Sequence, residues 1–115
     1  MKSENERKIQ QDAVIWFNNR YCLRVHNPRW IIFSVPNEGE NAYELKRKID
    51  IGLLSGVSDL IIVGPDKVIF MECKTPTGRQ SKSQIDFQKR VNELGYSYYI
   101  FRSLQEFKEI INGEI

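Results

Sequence analysis

The chain is expected to form a single α/β domain, a mixed central β-sheet flanked by helices, with elements in the order α, β, (short α), β, β, α, β, α. Three observations predict it. Residues 60–63 and 68–71 are short apolar runs separated by Gly64-Pro65-Asp66-Lys67, which reads as two strands and a tight turn. Segments before and after this hairpin carry apolar residues at helical spacing behind Ser-x-x-Glu or Ser-x-x-Gln caps. Aromatic and β-branched runs at 30–35 and 97–102 supply two further strands.

With 115 residues, the chain is long enough for one core without staples, so residues 1–115 are taken as one domain. A hydrophobic content of 41% and a charged content of 28% are ordinary for a globular protein and exclude a disordered or membrane class. Apolar runs such as 30–33 and 60–63 are too short to span a bilayer, and Met1–Arg7 lacks the apolar core of a signal peptide. Two cysteines make no disulfide framework, and with the sole His26 they cannot supply a tetrahedral zinc site. A reduced cytoplasmic protein, not secreted and not bound to a membrane, is expected. A net charge of +2 is too mild to indicate nucleic acid by itself.

Taking the elements in order, Ser3-x-x-Glu6 opens a helix in which Ile9, Ala13, Trp16 and Phe17 form one apolar stripe to about Arg20. Asn27-Pro28 ends the connection that follows, because the residue before proline avoids the helical region. The strand over 30–35 stops at Pro36 and leads into the polar loop Asn37–Asn41. Residues 44–54 suggest a short helix with Leu45, Ile49 and Leu53 inward. Gly56 then allows close packing or positive φ before the hairpin. After the loop at 75–80, Ser81 caps a helix to about Leu94, with Ile85, Val91 and Leu94 inward and Gly95 ending it. A strand at 97–102 and a helix from Ser103-x-x-Glu106 to about Ile111 complete the chain.

The chemistry concentrates at the hairpin's open end. Asp59 and Glu72 stand at the outer ends of the two strands, so the fold-back sets them side by side. Lys74 lies two residues past Glu72 on the same face, while Cys73 between them points to the opposite one. Neighbouring carboxylates repel unless a proton or metal intervenes. Mg²⁺ or Mn²⁺ suits such hard oxygen ligands, with the backbone carbonyl of Cys73 as a further one. Lys74 is placed to orient or deprotonate an attacking water. Lys46, Arg47 and Lys48 before the hairpin, and Arg79 and Lys82 after it, either draw a phosphate backbone across the acids or are solvated helix decoration.

Asp59 followed by Glu72-Cys73-Lys74 resembles the signature of the PD-(D/E)XK nuclease superfamily, with Ser58 where a proline often stands. Gly52-Leu53, Ser55-Gly56-Val57-Ser58-Asp59-Leu60, and later Gly78, Ser81, Gln84 and Gly95 narrow the resemblance to the VRR-NUC branch, of the stand-alone phage and bacterial type. The resemblance covers nearly the whole chain. It implies a restriction-endonuclease-like core and a Mg²⁺- or Mn²⁺-dependent endonuclease cutting DNA to 5′-phosphate and 3′-hydroxyl ends, within a bacterial or phage-infected cell. It also implies that Glu6 joins the metal site, besides or instead of capping its helix. Gln84 is implied to reach Lys74 or the attacking water in addition to its capping role, and the loop at 37–41 to border the site. Branched DNA, such as four-way (Holliday) junctions or flaps, is the expected substrate, cut by a homodimer whose symmetry matches the junction. Trp16, Trp30 and Tyr96–Tyr99 are candidate interface aromatics, and the tyrosines could alternatively stack on bases or belong to the core. An RNA nuclease and a non-cleaving DNA-binding module remain alternatives.

Overall fold

Four short, largely apolar runs build the sheet, and helices cover both of its faces. The computed structural model describes residues 3–36 and 42–115. The elements are α1 (Glu4–Tyr21), β1 (Ile31–Ser34), α2 (Ala42–Asp50), β2 (Leu60–Gly64), β3 (Lys67–Cys73), α3 (Lys82–Glu93), β4 (Ser97–Phe101) and α4 (Leu104–Glu114). Their order and type match the expectation from the sequence. The expected loop at 37–41 and the inward placement of Leu45 lie outside the described residues and side chains.

The sheet order is β1-β2-β3-β4. β1, β2 and β3 form an antiparallel meander, and β4 joins β3 in parallel after the α3 crossover, so the sheet is mixed. Leu60 and Ile62 of β2, Ile69, Met71 and Cys73 of β3, and Phe101 of β4 are all fully buried on one face. They pack against Ala13 and Phe17 of α1 and Phe107 and Ile111 of α4. The opposite face is thinner. There Phe70, Tyr98 and Ile100 meet Phe87 and Val91 of α3.

Several expected inward residues are corrected by this packing. Ile85 and Leu94 are 54% and 76% exposed, because the buried stripe of α3 runs through Phe87 and Val91, four residues apart. Leu94 also falls beyond the last helical residue. Ile49 is exposed, and α2 ends at Asp50, where the amides of Ile51 and Gly52 bond back three residues to Lys48 and Ile49 in a tightened last turn. The aromatics proposed as interface anchors are mostly spoken for. Trp30 is buried, Trp16 packs edge-on against Phe107, Tyr98 is in the core, and among the three tyrosines only Tyr96 is exposed.

Helix caps fix the element starts as read from the sequence. Ser3, Ser81 and Ser103 each accept a bond from the amide three residues on, and α3 has a full capping box. At the turn end of the hairpin, Glu114 accepts hydrogen bonds from the Tyr99 hydroxyl and from Lys67 Nζ, the latter at 2.9 Å, tying the end of α4 to β3 and β4. The Tyr99 bond, then the Lys67 bond, hold the Glu114 carboxyl below its ordinary value of 4.5. Its stabilisation is therefore present above that range and lost as pH falls through the lowered value. Glu114→Gln is expected to cost about 1 kcal/mol at neutral pH in urea unfolding, with the gap from the unaltered protein closing under acid conditions.

Gly56 sets the approach of α3 to the strand that carries Asp59. Its φ is +86°, and a Cβ there would sit 2.2 Å from the backbone oxygen of Ser83. Both the left-handed backbone and the close approach exclude other residues. Gly56→Ala is expected to destabilise by roughly 3 kcal/mol or more, since the clash is with backbone that cannot turn aside. A shift of the urea midpoint with an unchanged slope would measure it.

Candidate active site

The last registered pair of the hairpin is Leu60 with Met71, which brings Asp59 and Glu72 opposite each other just beyond it. Each acid grips the other's strand. Asp59 Oδ2 accepts the Cys73 amide at 2.8 Å, and Glu72 Oε1 accepts the Asp59 amide at 3.2 Å. Burying a carboxylate is costly unless its oxygens are bonded, and Glu72 is only 2% exposed. Its second oxygen, Oε2, accepts from Gln84 Nε2 at 3.1 Å and lies 3.7 Å from Lys74 Nζ.

Gln84 is the connector. Its Oε1 accepts from Lys74 Nζ at 2.8 Å and from the Ser81 amide at 2.8 Å, while its backbone N–H donates to Ser81 Oγ. One oxygen thus completes the capping box and holds the ammonium, so the two roles foreseen for this residue coincide. The position follows from the helix geometry. Gln84 lies three residues before Phe87, on the stripe of α3 that faces the sheet. The donors on either side of its amide also fix which end is oxygen.

Cys73 is fully buried on the opposite face, as the strand alternation requires. Its amide points to β2, and the carbonyl of a strand residue points to the same side as its amide. The Cys73 carbonyl is therefore directed toward Asp59. Two carboxylates and this carbonyl form an all-oxygen donor set on one side, which fits a hard divalent cation that retains water ligands.

Glu6 reaches the same end of the sheet from the Cys73 face. Its carbonyl accepts from Cys73 Sγ at 3.5 Å. Among the described residues no three His, Cys, Asp or Glu side chains gather into a metal-binding group. The structure thus brings together Asp59, Glu72, Lys74 and Gln84, with Glu6 close by through its backbone.

Two supports were not foreseen. Arg102 Nη1 donates to the carbonyls of Thr75 and Gly78, each at 2.7 Å, fastening the loop that follows Lys74. The parallel register of β4, with Phe101 beside Cys73, sets Arg102 next to Lys74 and is the signal that would have found it. Gln80 Nε2 donates to Gln88 Oε1 and to the Tyr98 hydroxyl, closing the same loop onto α3 and β4. Burial first, and then the nearby Glu72 carboxylate, push the Tyr98 phenol far above its usual range. Its ring is buried in the core against Phe87, so it offers no open face for stacking. Of the basic residues, Arg79 and Lys82 are exposed beside the start of α3, and Lys46, Arg47 and Lys48 are exposed on α2.

Two solved structures share this architecture. A VRR_NUC domain protein superposes with a TM-score of 0.76 at 18% identity, covering 100% of this chain and 91% of its own. A second VRR_NUC domain gives a TM-score of 0.68 at 16% identity, covering 98% and 100%. The chain has the fold of these VRR_NUC domains from end to end, the fold class expected from its sequence. No protein-family model matches the chain, and no curated protein matches it. Among the described residues no helix is long and apolar enough to cross a membrane.

Replacing Gln84 by leucine keeps the volume but removes every bond its amide makes. Gln84→Leu is expected to lose about 2 kcal/mol, from the lost cap and from the partners stranded at Glu72 and Lys74. Chemical denaturation would measure it, and Gln84→Glu, which sets a like charge against Glu72, should lose more.

Proposed function

We propose that this chain is a VRR-NUC-type endonuclease that hydrolyses DNA phosphodiester bonds with Mg²⁺ or Mn²⁺, acting in the cytoplasm and preferring branched DNA such as four-way junctions or flaps. One observation carries the proposal. Two carboxylates, each accepting a main-chain amide from the other's strand, and a glutamine-anchored lysine meet at the open end of a hairpin, on a fold shared with VRR_NUC domains. A module that merely bound phosphate would gain nothing from carboxylates turned toward it.

Asp59, Glu72 and the Cys73 carbonyl would hold the cation. When bound, it neutralises phosphate charge and makes water a better nucleophile. Asp59 is pre-positioned for this by the Cys73 amide and Glu72 by the Asp59 amide, so little reorganisation is needed on loading. Lys74 Nζ, steered by Gln84 Oε1, orients the attacking water and offsets the negative charge that gathers on the phosphate oxygens. Cleavage then leaves a 5′-phosphate and a 3′-hydroxyl. A homodimer would supply two such centres in the two-fold arrangement that paired cuts on opposed strands require.

The test is incubation of purified protein with end-labelled junction, flap and linear duplex DNA, in Mg²⁺, Mn²⁺ or EDTA. Metal-dependent cutting of the branched forms is expected, by a species with dimer mass in light scattering. Asp59→Asn and Glu72→Gln should each drop the rate by about 10²–10⁴-fold or more and lose the calorimetric heat of metal binding. Lys74→Ala should lose a comparable factor in rate yet keep that heat. Wild-type rates in Asp59→Asn would sink the assignment, and equal cutting of plain duplex would remove the preference for branches.

A further inference from the structure

A groove of about 330 Å³ runs between α1 and the edge strand β1, lined by Arg7, Gln10, Val14, Ile15, Phe33 and Ser34. Its β1 wall pairs with β2, the strand that Asp59 precedes. Phe33 pairs with Ile61 and Ile61 with Phe70, and Asp59 and Glu72 lie two residues further along those strands. Phe33 therefore shares their face, at roughly 7 Å along the strand. The amide of Val35, next to Ser34, donates to the Asp59 carbonyl at 2.9 Å. On the other wall, Arg7 follows Glu6, whose carbonyl meets Cys73.

The lining combines three properties. Phe33 is 45% exposed and Ile15 50%, leaving apolar surface open to a flat group. Arg7 is exposed at the end nearest the carboxylates. Gln10 lines the groove, and its Oε1 is buried with no hydrogen-bond partner among the described residues. An unmet buried acceptor is uncommon and calls for a donor. The last torsion of a glutamine is soft, so a small turn of the amide would offer that oxygen to a group in the groove.

From this combination, and resting on the nuclease reading above, we infer that the groove is a subsite for one unpaired nucleotide of the DNA strand flanking the cut. The base lies against Phe33, Val14 and Ile15, its pairing edge donates an N–H to Gln10 Oε1, and Arg7 meets its phosphate. All four bases carry an N–H donor on the pairing edge, and in duplex that donor is already engaged. The subsite therefore separates unpaired from paired nucleotides and tolerates any sequence. Stacking on an aromatic ring is likewise indifferent to base identity.

The test is an abasic scan. Fluorescence polarisation in EDTA would follow binding of labelled flap DNA in which successive bases on either side of the branch are removed one at a time. Loss of the base at a single position should weaken binding about tenfold. Phe33→Ala and Gln10→Met should weaken binding of intact DNA by a similar factor and no longer respond to that abasic site. Arg7→Gln should weaken intact and abasic DNA alike. Should a variant fold poorly, quenching of 2-aminopurine at that position by the unaltered protein reads the stacking directly. Uniform binding across the scan, with no quenching, would overturn the subsite. Cutting in Mg²⁺ is scored separately on the same DNA. Cutting without a sensitive position removes the subsite alone, and a sensitive position without cutting removes the nuclease reading while leaving the nucleotide contact.

Discussion

The two hydrogen bonds that cross between β2 and β3, from the Cys73 amide to Asp59 and from the Asp59 amide to Glu72, are the constraint on which the rest of the site depends. Left to themselves, two carboxylates at the end of a hairpin would splay into water. Here each accepts a main-chain amide of the opposite strand, so neither can turn away without giving up a hydrogen bond. The repulsion between them is met by Lys74 and by the Gln84 amide, which together engage the oxygen of Glu72 that faces away from Asp59. α3 has to lie close for this to happen. The glycine at 56 permits the approach, and Arg102 and Gln80 hold the intervening loop in place.

The two faces of the sheet are built for different ends. The face under α1 and α4 is a dense aromatic core, where Phe17, Phe101 and Phe107 stand edge-on to one another or to their neighbours. The face under α3 mixes a small apolar cluster with the polar site, and Tyr98, buried there, keeps its proton near Glu72. Rigidity comes from the first face, and chemistry occupies the edge of the second.

How much of this was legible in the sequence depended on distance along the chain. The hairpin, the three serine caps and the pairing of Asp59 with Glu72 rest on neighbours within a few residues or on one tight turn, and they could be read directly. Gln84 was reachable because a capping position and a sheet-facing position coincide on the first turn of α3. Ile85, Leu94 and Ile49 were misplaced, because apolar character does not say which of two possible stripes the sheet will cover. The tryptophans were misjudged for a related reason. A 115-residue domain looked too small to need them in its core, yet Trp30 is buried against Phe17 and the half-buried Trp16 packs on Phe107. Arg102 and the Gln80 contacts depend on a parallel register set by the α3 crossover, which no local pattern encodes.

The strict alternation along β3 makes the spacing of this segment a reading frame. Met71 and Cys73 fill the core, while Phe70, Glu72 and Lys74 address the other side. Deleting one residue between Lys67 and Glu72 would exchange the two sets, driving a carboxylate and an ammonium into the aromatic layer and a methionine and a thiol into the site. Point substitutions on either side can be absorbed one at a time, but length here can drift only in steps that restore the frame. Insertions that enlarge such a domain are thus confined to its connections, the turn between β2 and β3 included, while the run from Lys67 to Lys74 keeps its length.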